Sequence, residues 1–392
     1  MAQGDAAAVS LPRDAVSEIL FRAPVKSLCR FQCVSKEWQA IISDRAFVAQ
    51  HKSRTMQLDP LLVTSYIGKN RYADTSVLVM DTQGTVVREI KSIGSDLSLG
   101  SCLDNLICVG SGDVTRVVDV ATGKVLLASE KPSSKKPNGN LRNYVIRLGR
   151  AAVSGSCKAV RIRDFRRDYG VQPPQTCEVS TIGRRYSHAY WRTAQPPPTD
   201  VRLLDYKEDW AGATVDGVVY FLSMSTSLAS SWDCVLGFDL ETEEWRKRID
   251  GPIELSSWTD HTRIRITELN QSLCMIKTGM HKTAHPSTGM RCNIWLLTDR
   301  DKSTWVKAYY IQPAKWCDKI QPLRVMPDGV RLLYHNYDFT FSQPHVLHIY
   351  DPRDETCTIE MNMPNNTFNT IGLCKLHLEH FVAQPKYNES RS

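Results

Sequence analysis

A small all-α segment followed by a larger, mostly antiparallel all-β domain is the fold class this sequence predicts, on three observations. Between Leu11 and His51, apolar residues recur at helical spacing. After Arg54 that period disappears and short alternating strands take over. The strands come in sets of four, and first-turn positions 104, 216, 270 and 328 step by roughly 55 residues if one divider falls near 155. A period of that size with four strands per unit is what the blades of a β-propeller produce, and six units can be counted, one incomplete.

The N-terminal stretch predicts three short helices. Pro12 suits a first turn, where its missing N–H costs nothing. Val16, Ile19, Leu20 and Ala23 then form one stripe at i, i+3, i+4 and i+7, and Pro24 ends the helix by pushing Ala23 out of the α region. A second helix carries Val25, Leu28, Cys29 and Phe31. Ser35 is placed to cap a third, whose Val34, Trp38, Ile41 and Ile42 share a face. Three such helices have more apolar surface than they can bury, since below about 40 residues a lone core rarely suffices without metal, disulfide or partner. The apolar faces therefore imply a partner surface.

The repeated unit is clearest at 211–249: AGATV, a turn at Asp216-Gly217, VVYFLS, CVLGFDL, a turn through Glu241 to Glu243, then WRKRI. Asp-Gly between apolar runs is a strong hairpin signal. Copies follow at 262–310 and 322–361 and precede it at 97–129. A noisier copy lies between about 150 and 193, with KAVRI, TCEVSTI and AYWRT as strands, and a partial one at 61–90. The C-terminal TIGLCKLHLEHFVA is placed to complete the first blade and close the ring, which removes exposed sheet edges.

Bulk properties narrow the function classes. The chain has 392 residues, 42% hydrophobic, and a formal charge of +7, which does not by itself argue for nucleic acid. Twelve cysteines are scattered without a C-x-x-C pair, a pattern of small buried residues rather than ligands. MAQGDAAAVS lacks the basic and apolar regions of a signal peptide, and no run approaches the 18 apolar residues of a membrane span, so the expected location is intracellular, cytoplasmic or nuclear. Asn365-x-Thr367 and Asn388-x-Ser390 fit the glycosylation pattern only by chance in that setting. KPSSKKPNGN at 131–140 suits a polar loop between blades, and the basic run from Arg142 to Arg167 a solvated rim rather than an acidic-partner site.

No motif for chemistry stands out. Gly110-Ser111-Gly112 lacks a third glycine and a following helix, as a phosphate site would need. Cys374, His377 and His380 alternate with strand period, so His377 faces away from the other two, and His281 and His285 lack further ligands. No G-x-S-x-G elbow occurs. Asp119, Asp239 and Asp351 sit at equivalent turn positions in successive units, which points to Asx turns rather than acid–base work. Trp191, Trp245, Trp295 and Trp305 suit packing between blades. No catalytic residue, metal site or cofactor is predicted.

Two resemblances follow from residues already quoted. The order Leu11-Pro12, Asp14, Ile19-Leu20, Pro24-Val25-Lys26-Ser27-Leu28, Arg30, Cys33-Val34-Ser35-Lys36, Trp38 and Phe47 resembles the F-box in its plant version. Ala23 stands where that family usually has Leu, which trims the docking face without abolishing it. The resemblance implies binding to the Skp-type adaptor of an SCF ubiquitin ligase, and through it to a cullin scaffold. The residues it assigns to adaptor binding are Leu11, Pro12, Ile19, Leu20, Pro24, Val25, Leu28, Val34 and Trp38. KAVRI, CEVSTIG with Trp191-Arg192, DGVVYFL, FDLETEEWRK and NIWLLTDRDKSTWVK resemble the F-box-associated domain of plant F-box proteins, which recruits targets.

The expected layout is therefore a flexible N-terminus at 1–10, the F-box at 11–54, the propeller-like domain at 57–383 and a disordered tail at 384–392. The expected role is a non-catalytic substrate receptor for ubiquitination. Rival readings are a propeller enzyme with an accessory helical domain and an adaptor-binding scaffold that degrades nothing. The target and the residues that read it are not legible, because propeller loops carry that information individually.

Overall fold

The computed structural model describes residues 11–23, 25–55, 60–67, 74–95, 97–111, 114–129, 140–166, 173–183, 187–188, 190–203, 212–223, 234–252, 263–280, 290–313, 319–337, 346–363 and 371–375. Two compact units form, Met1–Pro60 with Lys375–Ser392, and Leu61–Cys374.

The first unit holds four helices, one more than the sequence reading expects: α1 (Arg13–Arg22), α2 (Val25–Phe31), α3 (Lys36–Ser43) and α4 (Arg45–Thr55). Pro12 stands at the N-cap of α1 rather than inside its first turn, with its carbonyl accepting from Val16 N at 3.1 Å. Ala23 leaves the helix at φ −74°, ψ 144°, as the residue before a proline must. Ser35 caps α3, its Oγ accepting from Trp38 N at 3.1 Å. The fourth helix is started by Asp44, whose Oδ1 accepts from Ala46 N and Phe47 N at 2.9 and 3.0 Å. It escapes a periodicity search because, among its described side chains, only Phe47, Val48 and His51 turn inward along a mostly polar helix. The unit's core is Val16, Leu20, Leu28, Ile41, Ile42 and Phe47.

The second unit is a six-bladed β-propeller. Its first blade joins Leu61–Ile67, Thr75–Met80 and Val86–Ile90 to Ile371–Cys374, and the register runs from Leu61↔Cys374 to Thr64↔Ile371. The chain's last described strand is thus the innermost strand of its first blade, as ring closure requires. A buried bond from Gln321 Nε2 to Ile371 O, 2.8 Å, ties this strand to the inner strand of the sixth blade. The second blade comprises Ser98–Leu103, Leu106–Ser111, Val114–Asp119 and Lys124–Ser129. The fourth comprises Gly212–Val215, Val218–Leu222, Cys234–Asp239 and Ile249–Asp250. The fifth (Arg263–Leu269, Ser272–Met280, Met290–Asp299, Thr304–Ile311) and the sixth (Lys319–Val325, Leu332–Tyr337, Val346–Asp351, Thr356–Asn362) follow the same meander.

The third blade departs most from the sequence reading. Its inner strand is Asn140–Arg150, which starts where a polar loop and a basic rim are expected, and Cys157–Arg166 and Thr176–Thr181 follow. Of AYWRT only Arg192 and Thr193 belong to the outer strand, Arg192–Ala194. Just before it, Ser187–His188 adds in parallel to Leu127–Ala128 of the second blade, giving that blade a fifth strand. In the fourth blade WRKRI contributes only Ile249 to a strand, with Trp245 in an isolated bridge to Phe238. The predicted divider near 155 is real, since Gly155 lies at φ +65° in the turn between the first two strands of the third blade.

Cores lie between blades. Along Val218–Leu222 every residue is buried, and alternate residues serve different neighbours. Val218, Tyr220 and Leu222 pack with Ile264, Ile266, Met275 and Trp295 of the fifth blade. Val219 and Phe221 pack with Val160, Ile162 and Val179 of the third. A period-two strand apolar on both faces can only be satisfied by sheets stacked on either side.

Candidate interaction surface

Nine residues of the helical unit carry the sequence-level expectation of a binding face, and the structure sorts them by exposure. Leu20 and Leu28 are fully buried in the unit's own core. Val25 and Trp38 are half-buried against it, with the Trp38 ring edge-on to Phe31 at 5.3 Å. Pro12 is exposed at the N-cap of α1, and Pro24 lies outside the described residues. Leu11, Ile19 and Val34 stand 58%, 54% and 60% exposed. Single exposed apolar residues are ordinary, but three large ones between positions 11 and 34 are not, when the remaining five among the described residues are spread over the propeller.

In the propeller, side chains singled out by the sequence turn out to hold turns and blade contacts. Asp119, Asp239 and Asp351 end the third strands of their blades, and each accepts a backbone N–H two residues on, at 2.9, 2.7 and 3.0 Å. Asp81 and Asp299 do the same from Gln83 N and Asp301 N at 3.0 Å. Each of these five turns also holds a residue at positive φ, namely Gly84, Gly123, Glu243, Ser303 and Glu355. Hydrogen bonds from Arg331 and from backbone N–H groups hold Asp328 at about 2, and Arg353 does the same for Asp351. Partial burial pushes Glu243 upward, but bonds from Arg192 and Lys158 outweigh it and leave the carboxyl low. Asp328, Asp351 and Glu243 are tied ion-pair partners, not groups poised to give up a proton near neutrality.

Among the described side chains of the basic run from Arg142 to Arg167, Arg147, Lys158 and Arg161 are buried rather than on a solvated rim. Arg147 is buried at the ring centre, where its Nε donates to Gly212 O and one Nη to Gly100 O, both at 2.8 Å, so it joins the inner strands of three blades. Arg161 and Arg163 both pair with Glu178, at 2.8 and 2.5 Å, and the Arg161 guanidinium lies 4.1 Å over the Trp191 ring. Lys158 pairs with Glu243 of the fourth blade at 2.8 Å. Arg150 pairs with Asp104 of the second at 2.9 Å. Periodicity could not show this, because a charge run looks the same whether its partners are water or carboxylates from other blades.

The other expectations settle similarly. Trp245 packs on Phe238 at 5.2 Å and donates to Gln195 O, Trp305 donates to Asp250 O, and Trp295 is buried between the fourth and fifth blades. Burial pushes the Cys177 and Cys374 thiols up to about 12, so both behave as packing residues. Gly110 and Ser111 end one strand and Val114 begins the next, leaving no helix N-terminus for a phosphate. His281, His285, His377, His380, the 131–139 loop and the 384–392 tail lie outside the described residues. No described helix is long and apolar enough to cross a membrane.

Comparison with known proteins agrees with both units. The F-box domain family matches residues 9–49, and the F-box associated beta propeller domain family matches residues 65–377. A putative F-box protein of Arabidopsis thaliana is 26% identical over 320 residues, covering 79% of this chain and 74% of its own length. A second is 26% identical over 315 residues, covering 77% and 72%. An F-box/kelch-repeat protein of the same plant is 24% identical over 343 residues, covering 83% and 75%. Four short helices, a ring closed by its own C-terminal strand and these two family matches together make the chain an F-box protein with an F-box-associated β-propeller domain.

Proposed function

We propose that this chain is the substrate-receptor subunit of an SCF-type ubiquitin ligase. Its helices dock a Skp-type adaptor and through it a cullin, and its propeller recruits a target protein. The supporting observation is the concentration of exposed Leu11, Ile19 and Val34 on a helical unit that buries only a small core of its own. Catalysis then belongs to the partners, and this subunit raises the rate by holding the target near the charged conjugating enzyme. Such a receptor works in the cytoplasm or nucleus, where adaptor and cullin are found.

The test is adaptor capture by the full chain carrying Ile19→Ala and Val34→Ala together. Both side chains are already solvated, so the fold should survive while binding drops by ~2 kcal/mol, about thirtyfold. Val306→Ala, an equally exposed residue on an outer propeller strand, should leave capture unchanged. Proteins co-purifying with the propeller should live longer when the double variant replaces wild type. Wild-type capture by the double variant would refute adaptor docking, and unchanged lifetimes would leave a scaffold as the better reading.

A further inference from the structure

We infer that His51 is a positioning residue for the docking helices, fixing the angle at which α2 leaves α1. The inference rests on the reading of the helical unit as an adaptor-docking module.

His51 lies on α4, the helix that periodicity does not reveal, and it is completely buried. Its Nε2 stands 3.0 Å from the carbonyl oxygen of Ala23. A carbonyl oxygen can only accept, so this nitrogen carries the proton and donates. The ring is held in place by two aromatic neighbours. Phe47, one turn earlier on α4, stacks on it at 6.1 Å with planes 22° apart, and Phe21 of α1 meets it edge-on at 6.2 Å.

The carbonyl it meets is the critical one. Ala23 is the single described residue between the end of α1 and the proline that precedes α2, and its ψ of 144° takes its C=O out of the α1 hydrogen-bond ladder. Pro24 has no N–H of its own to offer nearby. In a part-buried corner such a carbonyl needs a donor from elsewhere, and His51 supplies one from 28 residues away. Ile19 sits on α1, before this junction, and Val34 follows α2, beyond it. Their relative placement is therefore set at the bond that His51 makes.

Two amide variants in the full chain separate positioning from mere filling of space. In His51→Gln the side-chain nitrogen reaches where Nε2 was, whereas in His51→Asn it falls one carbon short. Adaptor affinity is measured for both, with helix content and thermal melting recorded alongside. The expected result is affinity within about twofold of wild type for H51Q and about tenfold weaker for H51N, at equal helix content. Equal affinities in the two variants, or equal losses in both, would overturn the inference. The Ile19→Ala, Val34→Ala variant is run in parallel. If it binds at wild-type strength the docking reading itself fails. If it loses binding while H51N keeps it, only the role of His51 fails.

Discussion

In the helical unit three large apolar side chains stand more than half exposed within residues 11–34, beside a core of six buried ones. In the propeller, by contrast, a strand such as Val218–Leu222 buries every residue, three against one neighbouring blade and two against the other. Both are built from short elements that cannot bury their apolar faces alone. The propeller supplies the missing surface from within, because each blade is its neighbour's partner and the C-terminal strand completes the first blade. The helices have no such repetition to draw on, so they leave large apolar side chains exposed. The difference teaches that self-sufficiency here comes from closure rather than from composition.

Closure can be broken outright. Ending the chain before Thr370 removes Ile371–Cys374, unpairs Leu61–Cys374 through Thr64–Ile371, and leaves an open edge in the first blade. The truncated protein should be insoluble or rapidly cut by protease at concentrations where the full chain is stable. A soluble truncation with an unchanged melt would show that the ring does not depend on its closing strand.

A subtler change sharpens the same point. A Cβ added at Gly372 on the closing strand would collide with Cys102 Sγ on the inner strand of the second blade, and next meets Cys102 Cβ at 3.3 Å. Gly372→Ala should therefore cost about 3 kcal/mol in a denaturant titration, as overpacking in a rigid core does. Trimming the opposing side chain with Cys102→Ala should recover part of that loss, a non-additive pair diagnostic of direct contact. Simple additivity of the two changes would place the strain elsewhere.

The smallest expected effect is electrostatic. Asp328 and Asp351 are held at about 2 against an ordinary 3.8, chiefly by Arg331 and Arg353. A carboxyl whose folded pKa is depressed contributes stability that is complete above the unfolded value and disappears as pH falls through the folded one. Their contribution should thus be present above pH ~4 and be lost towards pH ~2. Asp328→Asn with Asp351→Asn should flatten the melting temperature against pH in that window, the small loss of stability being fully present above pH ~4 and vanishing towards pH ~2. Both groups lie at the surface and their pairing is screened by solvent, so a steep residual slope would locate the acid sensitivity in other carboxylates.

The legible parts of the propeller are those where local chemistry repeats. Asp216-Gly217 takes positive φ at both residues, and Asn270-Gln271 does so without glycine. The third blade was hard to read for a physical reason. It ends its third strand in Thr181 rather than Asp, and it breaks its outer strand so that Ser187–His188 can pair with the second blade. It also fills its inner strand with charged residues whose partners lie on other blades. Among the residues expected to dock, Ile19 and Val34 look no different in sequence from Leu20 and Leu28, yet the first two face solvent and the others the core.

What the amino-acid order determined alone is what depends on near neighbours: helix against strand, the cap at Ser35, the hairpin turns, and the count of four-stranded units. Periodicity and turn chemistry act over a few residues, so one chain suffices to see them. Tertiary structure alone decided the fourth helix, the burial of Arg147, and the pairing of Lys158 with Glu243. It also decided the reach of His51 to Ala23. Each of these joins groups 28 or more residues apart or rests on packing across elements, where whether a polar side chain meets water or a partner is settled only once the blades and helices are in place.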